Sequence, residues 1–282
     1  MPVSESLLLD GKSVAREILV QLKSKVDLMK TKPTLAVIVA GQDKPSLSYV
    51  KMKRKWAEEI GANTEVIYVD ENLNQEQLLQ HIVNLNNNPN IHGILVQHPL
   101  PNHIDESKIL SAVDIKKDVD GISPMSIGLL ASRMKGHRAA TPLGIIRLLD
   151  YYNVPLRGAH VVIAGCSIIL GRPMALMLLE RDATVCVTHK YTKNMDDLLA
   201  QADIVISATG VPGLIRGEPL KQGVVAIDCG YSVINGEAVG DIRFDEVKSK
   251  AKFITPVPGG VGPMTVATLL SNLVDAYLEQ QI

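Results

Sequence analysis

The sequence predicts an α/β protein of two lobes, each with a parallel sheet, and three observations carry that prediction. Runs rich in Val and Ile alternate with helical patterns along the whole chain. The runs are continuously apolar, as strands covered by helices on both faces are, and do not alternate between apolar and polar residues. A break at "AATPLGIIRLLDYYNV" offers Thr141 as a helix cap and Pro142 as the first helical residue, with one set of strands before it and another after it.

Taken in order, "TLAVIVA", "TEVIYV" and "IHGILVQ" are the strands of the first set, and "HVVIAG", "TVCVTH", "DIVISA" and "VVAID" those of the second. The asparagines from Asn84 to Asn90 mark a helix end and a turn. The last segment, "GPMTVATLLSNLVDAYLEQQI", has apolar residues at helical spacing and is expected to pack back on the first lobe, leaving a cleft between the two. The expected domains are therefore 1–140 with a C-terminal helix over 264–282, and 141–263.

Composition narrows the function. A chain of 282 residues, 46% of them hydrophobic, can bury two cores. A formal charge of -1 and a pI near 6.7 give no basic field for nucleic acid or an anionic membrane, which leaves small-molecule chemistry. Cys166, Cys186 and Cys229 form no C-x-x-C pair and no zinc spacing, which suits a reducing cytoplasm. In "MPVSESLLLDGKSVAREILV" charged residues interrupt every apolar run, so neither a signal peptide nor a spanning helix is expected there.

In "IAGCSIILGRP", Gly165 ends a strand and Gly171-Arg172-Pro173 opens a helix, the place where backbone N–H groups and the helix dipole receive a phosphate. The usual G-x-G-x-x-G is loosened to Gly165, Ser167 and Gly171, and the same residues would also serve an ordinary tight turn. A dinucleotide site that prefers NAD carries an acid about 20 residues on, at the end of the next strand. Here "TVCVTHKYTK" ends in His189 and Lys190, so a 2'-phosphate is the better partner and NADP the expected cofactor, with NAD second. Lys190 and Lys193 facing only water is the competing account.

The segment "SLSYVKMKRKWAEEIGAN" reads as a helix from Ser46 to Ile60, stopped by Gly61. Tyr49, Lys53, Trp56 and Ile60 share its apolar face, whereas Lys51, Arg54 and Lys55 can spread into solvent. An enclosed Lys53 loses part of its preference for the charged form and becomes a usable proton donor and acceptor; a snorkelling Lys53 would not. Gln97 stands at the carboxyl end of a buried strand, where open α/β sheets bind ligands. In "KKDVDGIS" one of Asp118 and Asp120 can anchor the turn and the other bind a polar ligand. The spacing is not that of a metal loop, and no metal is expected. "ITPVPGGVGPMT" is a rigid, close-approaching loop suited to a substrate wall or an interdomain turn.

With those residues in place, the chain resembles the bifunctional methylenetetrahydrofolate dehydrogenase/methenyltetrahydrofolate cyclohydrolase family almost from end to end. "SYVKMK", "GILVQHPLP", "KDVDGIS", "TPLGIIRLL", "GDIRF" and "ITPVPGGVGPMTVATLL" occur in the family's order. The resemblance implies an N-terminal folate-binding catalytic domain and a Rossmann-like NAD(P)-binding domain. It implies that 5,10-methylenetetrahydrofolate is oxidised with NADP and the methenyl product hydrolysed to 10-formyltetrahydrofolate. It matches the catalytic lysine to Lys53, the tyrosine that closes on the folate ring system to Tyr49, the glutamine that holds the lysine to Gln97 and the pterin-binding aspartate to Asp120. Pro258 and Gly262 match the substrate loop; Gly165, Cys166, Ser167 and Tyr231 match nucleotide contacts. It further implies a homodimer formed through the second lobe, cytoplasmic and working without metal, while the charge balance leaves no nucleic-acid or membrane partner expected.

The sequence also departs from the family. Cys166 replaces an arginine that many members use on the 2'-phosphate, and members without that arginine resemble this chain in placing a basic residue where Lys190 stands. Ala139-Ala140 replace Pro-Cys, His98 replaces Leu, and Ile122-Ser123 replace Phe-His. None removes a proton-transfer group, but all bear on rate and on the balance of the two activities. A cyclohydrolase with weak or NAD-linked dehydrogenase activity, or a non-catalytic nucleotide-binding regulator, are the competing expectations.

Overall fold

The computed structural model describes residues 7–41 and 44–281. The elements run β1 (Leu7–Leu8), α1 (Gly11–Asp27), β2 (Thr34–Ala40), α2 (Lys44–Glu59), β3 (Asn63–Val69), α3 (Gln75–Asn87), β4 (Gly93–Gln97), α4 (Glu106–Ala112) and α5 (Pro124–Ala131). They continue with α6 (Ala140–Tyr151), β5 (His160–Ala164), α7 (Gly171–Glu180), β6 (Thr184–Thr188), α8 (Met195–Gln201), β7 (Ile204–Ser207), β8 (Val225–Asp228), β9 (Ser232–Ile234), β10 (Glu237–Val239), α9 (Phe244–Lys248), β11 (Phe253–Ile254) and α10 (Val261–Glu279). The described residues divide into two compact units: one from the segments 16–140 and 266–281, the other from 7–15 and 141–265.

The first unit holds a parallel sheet of order β3-β2-β4. The interior of β2 and all of β4 before Gln97 are buried, which is why both read as continuous apolar runs. Ile38, Leu78, Ile82, Ile94 and Ile109 pack α3 and α4 against the sheet, each such side chain contributing about 1.5–3 kcal/mol of burial. Asn74 and Gln77 form a capping box at the start of α3, and Asn88 caps its end inside the expected asparagine turn. The Lys117 ammonium caps the end of that helix, donating to the carbonyls of Leu85, Asn86 and Asn88 at 3.0, 2.8 and 2.8 Å.

The second unit holds a parallel sheet of order β1-β11-β8-β7-β5-β6 and a separate β9–β10 hairpin. Strands β5, β7 and β8 are almost wholly buried, and β6 is an edge strand with a mixed burial pattern.

Three boundaries differ from expectation. Residues 7–15 belong with the second unit, not with a domain 1–140, because β1 extends the second sheet: Leu7 N–H donates to the Lys252 carbonyl at 3.0 Å and Leu9 N–H to that of Ile254 at 2.9 Å. Helix α6 begins at Ala140, whose N–H donates to the Asp120 carbonyl at 3.0 Å, so Thr141 and Pro142 lie inside its first turn. Pro142 is tolerated there because first-turn N–H groups have no intrahelical acceptor. Helix α10 begins at Val261 and not at 264, its first turn counted with the second unit and the rest with the first.

Candidate active site

Helix α2 carries Lys53 on the face that the apolar spacing predicts. Trp56 and Ile60 beside it are 5% and 0% exposed, Tyr49 is half-buried, and Lys53 itself is 7% exposed, whereas Lys51, Arg54 and Lys55 face solvent. Lys53 therefore does not snorkel. Its Nζ donates to Gln97 Oε1 at 2.8 Å. Gln97 is the last residue of β4, and its Nε2 donates to the His98 carbonyl at 2.8 Å, which fixes the amide so that oxygen and not nitrogen meets the lysine. Burial lowers the Lys53 pKa, and the negative charge of Asp120 partly restores it.

The two aspartates of "KKDVDGIS" separate into the two roles the sequence left open. Asp118 is 4% exposed and its oxygens are used locally: Oδ1 accepts from Gly121 N–H at 3.0 Å, and Oδ2 from Ser123 N–H at 3.0 Å and Ser126 Oγ at 2.6 Å. Asp120 is half-buried and faces Lys53 electrostatically. Burial raises its pKa, while Lys53 and His98 favour its carboxylate form. The segment is held against β4 by Ile94 N–H donating to the Lys117 carbonyl at 2.8 Å. From α10, Asn272 Nδ2 donates to the Val119 and Arg138 carbonyls at 2.8 and 3.0 Å. One unit thus brings together Lys53, Gln97 and Asp120, with Tyr49 one turn earlier on the lysine's helix.

In the second unit the chain passes from β5 to β6 on one side and then to β7 on the other, which places the topological switch point at the carboxyl end of β5. Gly165 stands there with φ +116, and a Cβ on it would run into the Ala208 carbonyl; one on Gly171 would run into the Gly165 carbonyl. That contact folds the loop back on the start of α7 and leaves Cys166 and Ser167 between them. Ser167 Oγ accepts from Leu170 N–H at 3.2 Å, and Arg172 Nε donates to the Cys166 carbonyl at 3.1 Å. Arg172 is an exposed cation in the first turn beside this loop, which the sequence reading used only as a helix opener.

Strand β6 lies beside β5, Gly165 N–H donating to the Thr188 carbonyl at 3.0 Å, and so brings the residues after Thr188 next to the loop. The turn beyond is fixed by His189 N–H donating to Thr192 Oγ1 at 2.9 Å, and Lys190 is exposed with its Nζ 4.9 Å from the centre of the Tyr191 ring. No acid occupies the turn that ends in Lys193. A glycine cradle, a helix N-terminus and a cation at the second strand fit a dinucleotide carrying a 2'-phosphate.

A cluster that the sequence reading did not find positions the remaining loops. Asp241 Oδ2 accepts from Ser207 Oγ, Thr209 N–H, Thr209 Oγ1 and Gly210 N–H at 3.1, 2.7, 2.9 and 3.1 Å. Asp228 Oδ1 accepts from Gly230 and Asp241 N–H at 2.9 and 3.0 Å, and Oδ2 from Ile242 N–H at 2.8 Å. Burial raises Asp228 to about 6 against those N–H groups. Tyr231, 43% exposed, follows this knot directly. Asp228 N–H also donates to Thr255 Oγ1 at 2.7 Å, which ties in the loop of Pro258; Pro258 is exposed there and Gly262 lies half-buried in the first turn of α10. "GDIRF" was the available signal, but a lone aspartate in a turn does not show which loops it holds.

Residues 9–120 match the family model described as tetrahydrofolate dehydrogenase/cyclohydrolase, catalytic domain, and residues 139–281 the one described as its NAD(P)-binding domain. The chain is 46% identical over 275 residues to the bifunctional protein FolD of Hydrogenobaculum sp. (strain Y04AAS1), covering 97% of this chain and 99% of that one. It is similar to the crystal structure of the bifunctional enzyme FolD from Campylobacter jejuni, with a TM-score of 0.95 and 44% identity over 97% of this chain and 99% of that one. It is also similar to the Trypanosoma brucei methylenetetrahydrofolate dehydrogenase-cyclohydrolase complexed with NADP cofactor and inhibitor, with a TM-score of 0.94 and 37% identity over 99% of each chain. On motifs, fold and full-length similarity together, the chain belongs to the tetrahydrofolate dehydrogenase/cyclohydrolase family.

Proposed function

We propose that Lys53, aimed by Gln97 and facing Asp120, performs the proton transfers of a bifunctional enzyme that oxidises 5,10-methylenetetrahydrofolate and hydrolyses the methenyl product to 10-formyltetrahydrofolate. The observation that carries it is the enclosed Lys53 amine, bonded to Gln97 Oε1 at 2.8 Å and facing Asp120. Burial lowers the Lys53 pKa and so favours the neutral amine, the form that accepts a proton. As water adds to the methenyl carbon, its proton passes to that amine; as the carbon–nitrogen bond breaks, the proton is delivered to the departing ring nitrogen. Gln97 keeps the amine aimed throughout, and Asp120 stabilises the ammonium between the two transfers. Tyr49, one helical turn away, and Pro258 and Gly262 serve to bind the folate.

Oxidation asks mainly for positioning. The nucleotide, when bound, supplies the hydride acceptor. Gly165, Cys166 and Ser167 form the phosphate loop, Tyr231 borders the site, and Lys190 recognises the 2'-phosphate, so the cofactor is NADP in preference to NAD. The edge strand β6, with Val187 exposed, supports a homodimer formed through the second unit. Three free thiols fit work in the reducing cytoplasm.

Two assays test the scheme: reduction of NADP and of NAD with 5,10-methylenetetrahydrofolate, and separate decay of the methenyl compound. Both activities are expected, and absence of the second would remove Lys53 from its role. Lys190→Ala is expected to raise KM for NADP by about tenfold, the loss of one charge-assisted contact, with KM for NAD within about twofold of the starting value. Equal losses with both nucleotides would show that Lys190 does not read the phosphate.

A further inference from the structure

The aspartate knot at the carboxyl end of the second sheet is wedged between two loops. Asp241 is 1% exposed, and its carboxylate is used unevenly. Oδ2 takes all four donors, every one from Ser207, Thr209 and Gly210 in the passage out of β7. Oδ1 is buried without a hydrogen-bond partner among the described residues and presses on Gly230 in the loop after β8, where a Cβ would run into it. Cys229 N–H donates to the Ser207 carbonyl at 2.8 Å, so the two loops are joined by a backbone bond and spaced by the carboxylate. The first of them also backs the phosphate loop: Ala208 N–H donates to the Ala164 carbonyl at 2.8 Å, and the Ala208 carbonyl fills the space that a side chain on Gly165 would need. A buried oxygen left unmet is unfavourable, and departures of that kind concentrate where function fixes the geometry.

A dinucleotide straddling the switch point lays one half on each side of β5. With Lys190 after β6 taking the 2'-phosphate, the nicotinamide falls on the other side, over the ends of β7 and β8. We propose that Asp241 is a positioning residue for oxidation: its carboxylate, set between the loops after β7 and β8, holds the floor on which the nicotinamide half lies and so the pose in which that ring accepts hydride. The proposal rests on the second unit being the nucleotide site. Asp228 completes the arrangement by fixing Asp241 itself, whose N–H it accepts at 3.0 Å.

The test compares Asp241→Ala, Asp241→Asn and Ser207→Ala with the wild type in three measurements: oxidation with saturating NADP or NAD, methenyl hydrolysis, and inhibition of oxidation by adenosine 2',5'-bisphosphate, which occupies only the adenosine half. Asp241→Ala should lower kcat of oxidation by about tenfold or more, alike with both nucleotides, while hydrolysis and the Ki of the inhibitor stay within about twofold. Asp241→Asn keeps an acceptor in the place of Oδ2 and should recover most of that loss. Ser207 is wholly buried, so Ser207→Ala reaches the nucleotide only through Asp241 and should cost about threefold in the same kcat. That milder variant decides the matter if Asp241→Ala does not fold. Losses shared equally by oxidation, hydrolysis and inhibitor binding, or an unchanged kcat of oxidation, would overturn the role of Asp241. A wild type that reduces neither nucleotide would instead overturn the nucleotide site on which the proposal stands.

Discussion

Two lysines of the same unit, Lys53 and Lys117, are enclosed to nearly the same degree, 7% and 6% exposed, and are bonded in opposite ways. Lys117 gives its protons to three backbone carbonyls at the end of α3. Lys53 has one hydrogen-bond acceptor among the described residues, the Gln97 side chain. Burial lowers the pKa of both, and one aspartate, Asp114 or Asp120, opposes it in each case. Desolvation alone therefore does not separate a structural lysine from a chemical one. An ammonium with three carbonyl acceptors is a cap whose protons are all committed, whereas one with a single acceptor can lend and recover a proton without dismantling a helix end. Asp118 and Asp120 repeat the contrast in carboxylates, the first spent on its own turn and the second on its neighbours' charge.

Exchanging the lysines for methionine is the most direct way to break this contrast. Lys53→Met should reduce methenyl hydrolysis by about a thousandfold, the usual scale of a general acid–base group, with the urea midpoint unchanged or higher. A hydrolytically competent, folded Lys53→Met protein would erase the distinction. Lys117→Met should do the reverse: three carbonyls lose their donor, and unfolding free energy should fall by about 2–4 kcal/mol in urea titrations, with kcat of the folded protein within about twofold. Should kcat collapse while stability holds, Lys117 belongs to the chemistry and the acceptor count is a poor guide. Asp118→Asn sharpens the comparison at smaller scale. Its amide cannot accept at both positions, so a loss of about 1–2 kcal/mol is expected, with KM for folate affected before kcat as the Asp120 turn loosens.

The parts of the fold legible in the sequence are those stabilised by their own burial pattern. Strands β2, β4, β5, β7 and β8 are buried on both faces and so read as unbroken apolar runs. Lys53 is legible because its helical neighbours Trp56 and Ile60 fix which face turns inward. Strands β1 and β11 are not, since two residues have no periodicity and exist through pairing with a distant partner. The β9–β10 hairpin carries a readable local signal, Asn235-Gly236 with φ of 53 and 85 between two short extended runs. At the site, the Asp118 and Asp120 pair was visible as one anchor and one ligand, but which was which depends on Ser126 reaching back to Asp118. The knot of Asp228 and Asp241 joins residues 13 to 34 positions apart, a relation that no local pattern encodes.

The return of α10 to the first unit also dictates when that unit can mature during synthesis. Asn272 pins the strand-side carbonyl of Val119, and Leu270, Leu273 and Val274 are fully enclosed, so the turn bearing Asp120 lacks one of its anchors until α10 leaves the ribosome. A nascent chain stalled short of that helix would expose an oily face and lack a settled acid beside its lysine, making chaperone capture and proteolysis of incomplete product the natural outcome.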